Sequence, residues 1–185
     1  GNYGKTAISG GTFSYPDDPD DGFRQEHLAS GYATKVNADG SITVYELPTS
    51  LQGTGTAEDP FLINNIDDLK LFRNLVNTYT QDGSNQFRGK YVKLMVDLDL
   101  AGENWEPIGK NSNGDHQNFL GHFDGNDKTI SNLTIIGADH LGFFANVGDG
   151  GDGVPASVKN LNVHNVKISG TGSYVGTVIA NGHAT

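Results

Sequence analysis

Apolar residues in this chain come as short beads separated by Gly, Asp and Asn, as in FLGHFDGNDKTISNLTIIGADHLGFFANV at 119–147. Beads so short cannot make a helix, and their alternation is the spacing of brief, half-buried strands. Upstream, YVKLMVDLDL at 91–100 alternates strictly: Val92, Leu94, Val96, Leu98 and Leu100 share one face, and Lys93, Met95, Asp97 and Asp99 the other. That pattern predicts one strand with a single buried face. INNIDDLKLFRNLVNTYT at 63–80 follows a different period, with Ile66, Leu69, Phe72, Leu75, Val76 and Tyr79 at helical spacing. Asn65 stands where a helix N-cap is needed, and Asp67 and Asp68 fall in the first turn, where the helix dipole favours acids. Nearer the start, 32–35 and 42–45 flank VNADGS and predict a β-hairpin around 37–40, with TAISGGTFS as one further strand.

The beads also repeat. TISNLTIIGADHLGFFAN (129–146) aligns with SVKNLNVHNVKISGTGSYVGTVIAN (157–181), placing Ile130 over Val158, Asn132 over Asn160, Leu133 over Leu161 and Ile135 over Val163. After a length change in the connecting turn, Leu141 falls over Val175 and Asn146 over Asn181. A unit of roughly 30 residues used twice is the signature of a repeat architecture. Like residues at equal offsets suit a parallel stack, in which each coil lays its Leu on the Leu beneath. Inward ladders of this kind gain about 1.5–3 kcal/mol per fully buried side chain, while Gly, Asn and Asp turn the corners. The amphipathic helix just ahead of the first coils then covers the open end of the apolar core.

Composition narrows the class. In 185 residues, Leu, Ile, Val and Phe together number 45, enough for a core in one or two domains, and 26 Gly favour turns over long helices. Twelve Lys and Arg against 22 Asp and Glu give a net charge of −10 without a basic cluster, which argues against nucleic acid or an anionic membrane as partner. The lack of cysteine removes disulfides, thiolate catalysis and Cys-based zinc sites. The six histidines are scattered, with no HExxH or HxH, and no run of 18 apolar residues inserts this segment into a membrane. Without an initiator Met or signal peptide, the sequence reads as a piece of a longer protein.

Five ordered segments carry a family resemblance: GTGTAEDPFLINNIDDLKLFRNLVN, GKYVKLMVDLDLAGENWEPIG, FLGHFDGNDKTISNLTI, LGFFANV and VKNLNVHNVKISGTGSYVGTVIANG. Together they resemble the GLUG-motif bacterial surface proteins, built from right-handed parallel β-helix repeats, over about residues 53 to 185. Ala145 and Ala180 stand where that family's short motif ends in Gly. AISGGTFS with LASGYATKVNADGSITVYEL more loosely resembles repeat ends of large adhesin-like proteins of gut bacteria. The expected architecture is therefore mostly β: a right-handed parallel β-helix (solenoid) capped by one amphipathic α-helix over 53–185, after an N-terminal β-hairpin segment over 1–52. The resemblance implies an extracellular or cell-surface place and adhesion to glycan or host matrix protein, with no catalytic residues.

Several residues could carry chemistry. GNYGKT has too few residues between its glycines for a phosphate loop, and GDGGDG at 148–153 is followed by Val154 and Pro155 where a nucleotide fingerprint needs a helix. Asp97 and Asp99, two apart on an expected strand, would project from one face about 6.5–7 Å apart, a spacing usable for acid and base work on a glycosidic bond. A solvated strand face is the favoured reading, and the expectation is a non-enzymatic surface adhesin or scaffold, with a carbohydrate-active β-helix enzyme using Asp97 and Asp99 and a passive structural spacer as the alternatives. Asp17, Asp18, Asp20 and Asp21 in YPDDPDDGF offer oxygen ligands dense enough for calcium, although the spacing is not that of an EF-hand. No other cofactor is implied. Trp105 and Tyr174 could give flat platforms for a sugar ring, or Trp105 could plug the core. The chain stops at VIANGHAT just after a repeat, so its last coil is expected to fray from about Val175, to meet further repeats, or to self-associate edge to edge.

Overall fold

The structure, a computed structural model, describes residues 7–13, 28–78, 87–112, 115–148 and 155–182. The chain divides into two compact units between Thr49 and Ser50. In the first, β1 (Gly11–Phe13), β2 (Tyr32–Val36) and β3 (Ile42–Glu46) form an antiparallel sheet in the order β1-β3-β2. The hairpin closes on its own turn. Asn37 N–H donates to the Ser41 carbonyl at 2.8 Å, Gly40 takes a φ of 82°, and Asp39 Oδ1 accepts from Ser41 N–H at 3.0 Å.

The second unit is a parallel β-solenoid of about three turns. Its first face stacks β4 (Phe61–Ile63), β5 (Tyr91–Leu94), β9 (His122–Asp124) and β13 (Ser157–Lys159). The second stacks β6 (Leu98–Asp99), β10 (Thr129–Ser131) and β14 (Asn162–His164). β11 (Thr134–Gly137) with β15 (Lys167–Gly170), and β12 (Phe144–Val147) with β16 (Ile179–Gly182), make two more. A short antiparallel pair, β7 (Asn111–Ser112) and β8 (Asp115–His116), stands apart from these faces. Inward residues form ladders: Val92, Phe123 and Val158; Leu98, Ile130 and Val163; Ile135 and Ile168; Phe144 and Ile179.

The helix α1 (Ile66–Asn77) starts where the cap residues stand. Asn65 Oδ1 accepts from Asp68 N–H at 2.9 Å, and Asp68 Oδ2 accepts from Asn64 N–H at 2.9 Å, so two otherwise orphaned donors are satisfied. Leu69, Phe72 and Val76 are buried, and the Phe72 ring meets Phe87, Phe119 and Phe123. The helix is tied across the first complete coil: Lys70 Nζ pairs with Glu103 at 3.0 Å, the Arg73 guanidinium lies 4.9 Å from the Trp105 ring centre, and Asn77 Oδ1 accepts from Gly109 N–H at 2.8 Å. It covers the end of the core, as its amphipathic pattern predicts. Tyr79, the last apolar residue of the predicted helix, lies outside the described residues.

Two expectations change. The strand over 91–100 is broken: β5 ends at Leu94, β6 starts at Leu98, and Val96 is 38% exposed. The chain turns a solenoid corner at 95–97, and period-two spacing cannot distinguish a corner residue from a strand residue that happens to keep the parity.

The repeat register also shifts. Leu133 does not stack on Leu161, nor Asn132 on Asn160. Ile130 pairs with Val163 and Ile135 with Ile168, which places Asn132 beside Asn165 and Leu133 beside Val166. The cause lies in SVKNLNVHNVKI, where KNLNV and HNVKI offer the same Asn-apolar motif five residues apart. Backbone pairing selects the second, and Leu161 sits instead over Gly125, where an added Cβ would run into the Asn160 carbonyl and the Leu161 backbone. The alignments of Leu141 with Val175 and of Asn146 with Asn181 stand as expected.

Candidate functional site

The corners position the polar groups. Asn132, Asn160 and Asn165 all take φ between 51° and 55°, a left-handed conformation that Asn tolerates better than most residues. Their amides hydrogen-bond along the stack. Asn132 Nδ2 donates to Asp99 Oδ1 at 2.7 Å, Asn165 Nδ2 donates to Asn132 Oδ1, and Asn160 Nδ2 donates to Asp124 Oδ1 at 3.1 Å. A second column runs inside, where Asn181 Nδ2 donates to Asn146 Oδ1 at 3.1 Å and Asn146 Nδ2 donates to the Gly109 carbonyl at 2.9 Å. The two candidate carboxylates belong to this bracing. Asp97 Oδ1 accepts from Thr129 N–H at 2.8 Å, and Asp99 Oδ1 also accepts from Ala101 N–H at 2.8 Å. Asp97 lies in the corner and Asp99 on β6, so one strand face does not carry both. The Asn132 amide and the Ala101 N–H hold the Asp99 carboxyl below the ordinary carboxylate range.

Between the third and fourth faces the coils differ in length. The first complete coil passes from Asn104 to Ile108, the next from Thr134 to Phe144, and the last from Lys167 to Ile179. The longer paths overhang the short one and leave a stepped cleft of about 640 Å³. Its walls include Asn104, Glu106 and Lys110 below and Ile136, His140 and Leu141 above. Asp139 holds the overhang rigid, since its Oδ1 accepts from the N–H groups of His140 at 2.9 Å, Ser173 at 3.0 Å and Tyr174 at 3.2 Å. These bonds, led by Tyr174 N–H and His140 N–H, keep the Asp139 carboxyl below its usual range. Gly172 makes the approach possible, because a Cβ there would strike the Ala138 carbonyl and the Asp139 backbone.

The two sugar-platform candidates meet different fates at this cleft. Trp105 is only 3% exposed; Phe143 stacks on it at 5.3 Å, the Arg73 guanidinium covers it, and its Nε1–H donates to the Phe143 carbonyl at 3.2 Å. It lines the cleft floor as a core residue with little of its ring free. Tyr174 is 46% exposed and stacks on His140 at 4.6 Å, bracing the upper wall. Ile136, 61% exposed on that wall, has no signal in the sequence, because a single apolar residue on the outer face of a strand is ordinary until the coil beneath it is seen to be shorter. Asp17, Asp18, Asp20 and Asp21 lie outside the described residues, and among the described residues no group of three His, Asp or Glu is placed to hold a metal. Among the same residues no helix is long and apolar enough to cross a membrane.

Fold and site together define a helix-capped parallel β-solenoid with amide-braced corners and a stepped cleft. The sequence is similar to that of halomucin from Haloquadratum walsbyi, 29% identical over 190 aligned residues that take in 94% of this chain. It is also similar to a protein described as a Gly-rich membrane protein from Evansella cellulosilytica, 31% identical over 135 residues and 71% of the chain. The chain spans only 2% and 14% of the lengths of these two relatives. No family model matches the sequence, and no solved structure matches it.

Proposed function

We propose that this chain is a non-enzymatic module of a long extracellular or cell-surface protein, in which the solenoid is a rigid scaffold and the stepped cleft contacts a glycan or a host or matrix protein. One relative is named halomucin and the other a membrane protein, and both are far longer than this chain, which suits a module in a surface array. The observation that carries the reading is the cleft itself, an apolar wall and a polar rim held open by Asp139 rather than by a mobile loop. The non-enzymatic part is supported by Asp97 and Asp99, whose Oδ1 atoms accept hydrogen bonds that brace a corner. A glycan and matrix-protein array tests the proposal. The expected result is a retained ligand without turnover, lost when Ile136→Asp puts a charge on the cleft wall. Release of product from any polysaccharide, abolished by Asp97→Asn with Asp99→Asn, would move the chain into the enzyme class.

A further inference from the structure

The lysine that lines the cleft is already paired within the protein, and from this we infer that its ligand is an uncharged sugar ring. The inference rests on the glycan reading of the cleft proposed above. Glu106 Oε1 lies 2.7 Å from Lys110 Nζ, so the cation in the lower wall is matched by its own neighbour on the chain. On the upper wall, Asp139 spends one oxygen on three backbone N–H groups, and its Oδ2 lies 3.3 Å from His140 Nδ1. A carboxylated or sulfated sugar entering here would have to displace Glu106 from Lys110 while facing the negative charge of Asp139, in a chain whose net charge is −10.

A neutral hydroxyl has no such conflict. It both donates and accepts, and the rim supplies both kinds of partner: Asn104 retains its Nδ2 donors after its Oδ1 accepts from Ile136 N–H at 2.8 Å, and the Glu106–Lys110 pair offers an acceptor and a donor side by side. The exposed Ile136 would cover the apolar face of the ring, backed by the buried Leu141 and Ala145, with His140 held in place by Tyr174. Size decides between a glycan and a protein partner. A concave site of about 640 Å³ lies within the range of small-ligand clefts, whereas a stable protein contact needs roughly 800 Å² of surface per partner.

The test follows amide shifts of the 15N-labelled chain while it is titrated with neutral gluco-, galacto- and manno-oligosaccharides and, separately, with an oligouronate. The expected result is that one neutral series shifts residues 104–110 and 136–141, with affinity unchanged between about 50 and 500 mM NaCl. Ile136→Ala and Tyr174→Ala, both at exposed positions, should each weaken that binding about tenfold, a loss equivalent to one decade in Kd. Preference for the oligouronate, weakened by salt and by Lys110→Gln, would overturn the neutral-sugar inference while leaving the cleft as the binding site. A matrix protein that shifts the same residues when no sugar does would overturn it equally. Silence at the cleft toward sugars and matrix proteins alike would overturn the underlying reading as well.

Discussion

Leu133 is sealed at 0% exposure, whereas Leu161, the same residue in what looks like the same motif, is only partly buried and packs at the edge of the core. The two therefore differ in what truncation costs. Leu133→Ala should destabilise by about 2–5 kcal/mol, the range for a cavity in a closed core. Leu161→Ala should cost about 1 kcal/mol, nearer the centre for ordinary substitutions. Urea melts of the two variants check this, and equal losses would restore the stacked-leucine register. Trp105 poses a related question at the cleft floor. Since its ring is covered by Phe143 and Arg73, Trp105→Ala should lower stability by about 3–5 kcal/mol, and a variant that melts like the wild type would mean that the ring is not core.

At the scale of the coil corner, hydrogen bonds that depend on ionised carboxylates make stability a function of pH. Asp99 is held low by Asn132 and Ala101. For Asp124, burial pushes the carboxyl up, but the Asn126 N–H, the Asn160 amide and Lys159 together outweigh it and the net shift is downward. With folded pKa values below the unfolded value near 3.9, the folded state binds fewer protons, so stability is present above that value and is lost as pH falls through the folded values. Urea melts at about pH 5 and about pH 3 should show a drop for the wild type and a smaller drop for Asp124→Asn. A larger drop in the variant would reverse the sign. Corners also depend on close approach. Gly125→Ala should cost about 1–3 kcal/mol through overpacking against Leu161, and circular dichroism melts showing no change would mean the coils are farther apart than they stand here.

Across the whole molecule, the two ends of the solenoid are unlike. α1 closes one end over Phe119 and Phe123, while the inward residues of the last coil, among them Val158, Val163, Ile168 and Ile179, remain partly exposed. An edge of unpaired strands with apolar residues behind it is a template for association. We expect amide exchange across 157–182 to be faster than across 122–147 in dilute solution and to slow as concentration rises. Each copy carries a net charge of −10, so two copies repel and association should strengthen with salt. A strict monomer by light scattering, with the last coil as protected as β9 to β12, would show that this edge is already sealed.

The sequence by itself determined the mostly β class, the repeat, the helix with its Asn65 cap and the hairpin around Asn37, because each is set by local periodicity or by side chains bonding to nearby backbone. It also marked Asn and Gly as corner residues. It left the register open, since KNLNV and HNVKI satisfy the same local rule and only the pairing of Ile130 with Val163 chooses between them. It hid the corner at Val96, where parity continues while direction changes. The cleft was illegible for a deeper reason: it belongs to no segment. It exists because one coil is shorter than the coil stacked on it, and a difference between Asn104 to Ile108 and Thr134 to Phe144 becomes a cavity only when hydrogen bonds hold the two side by side.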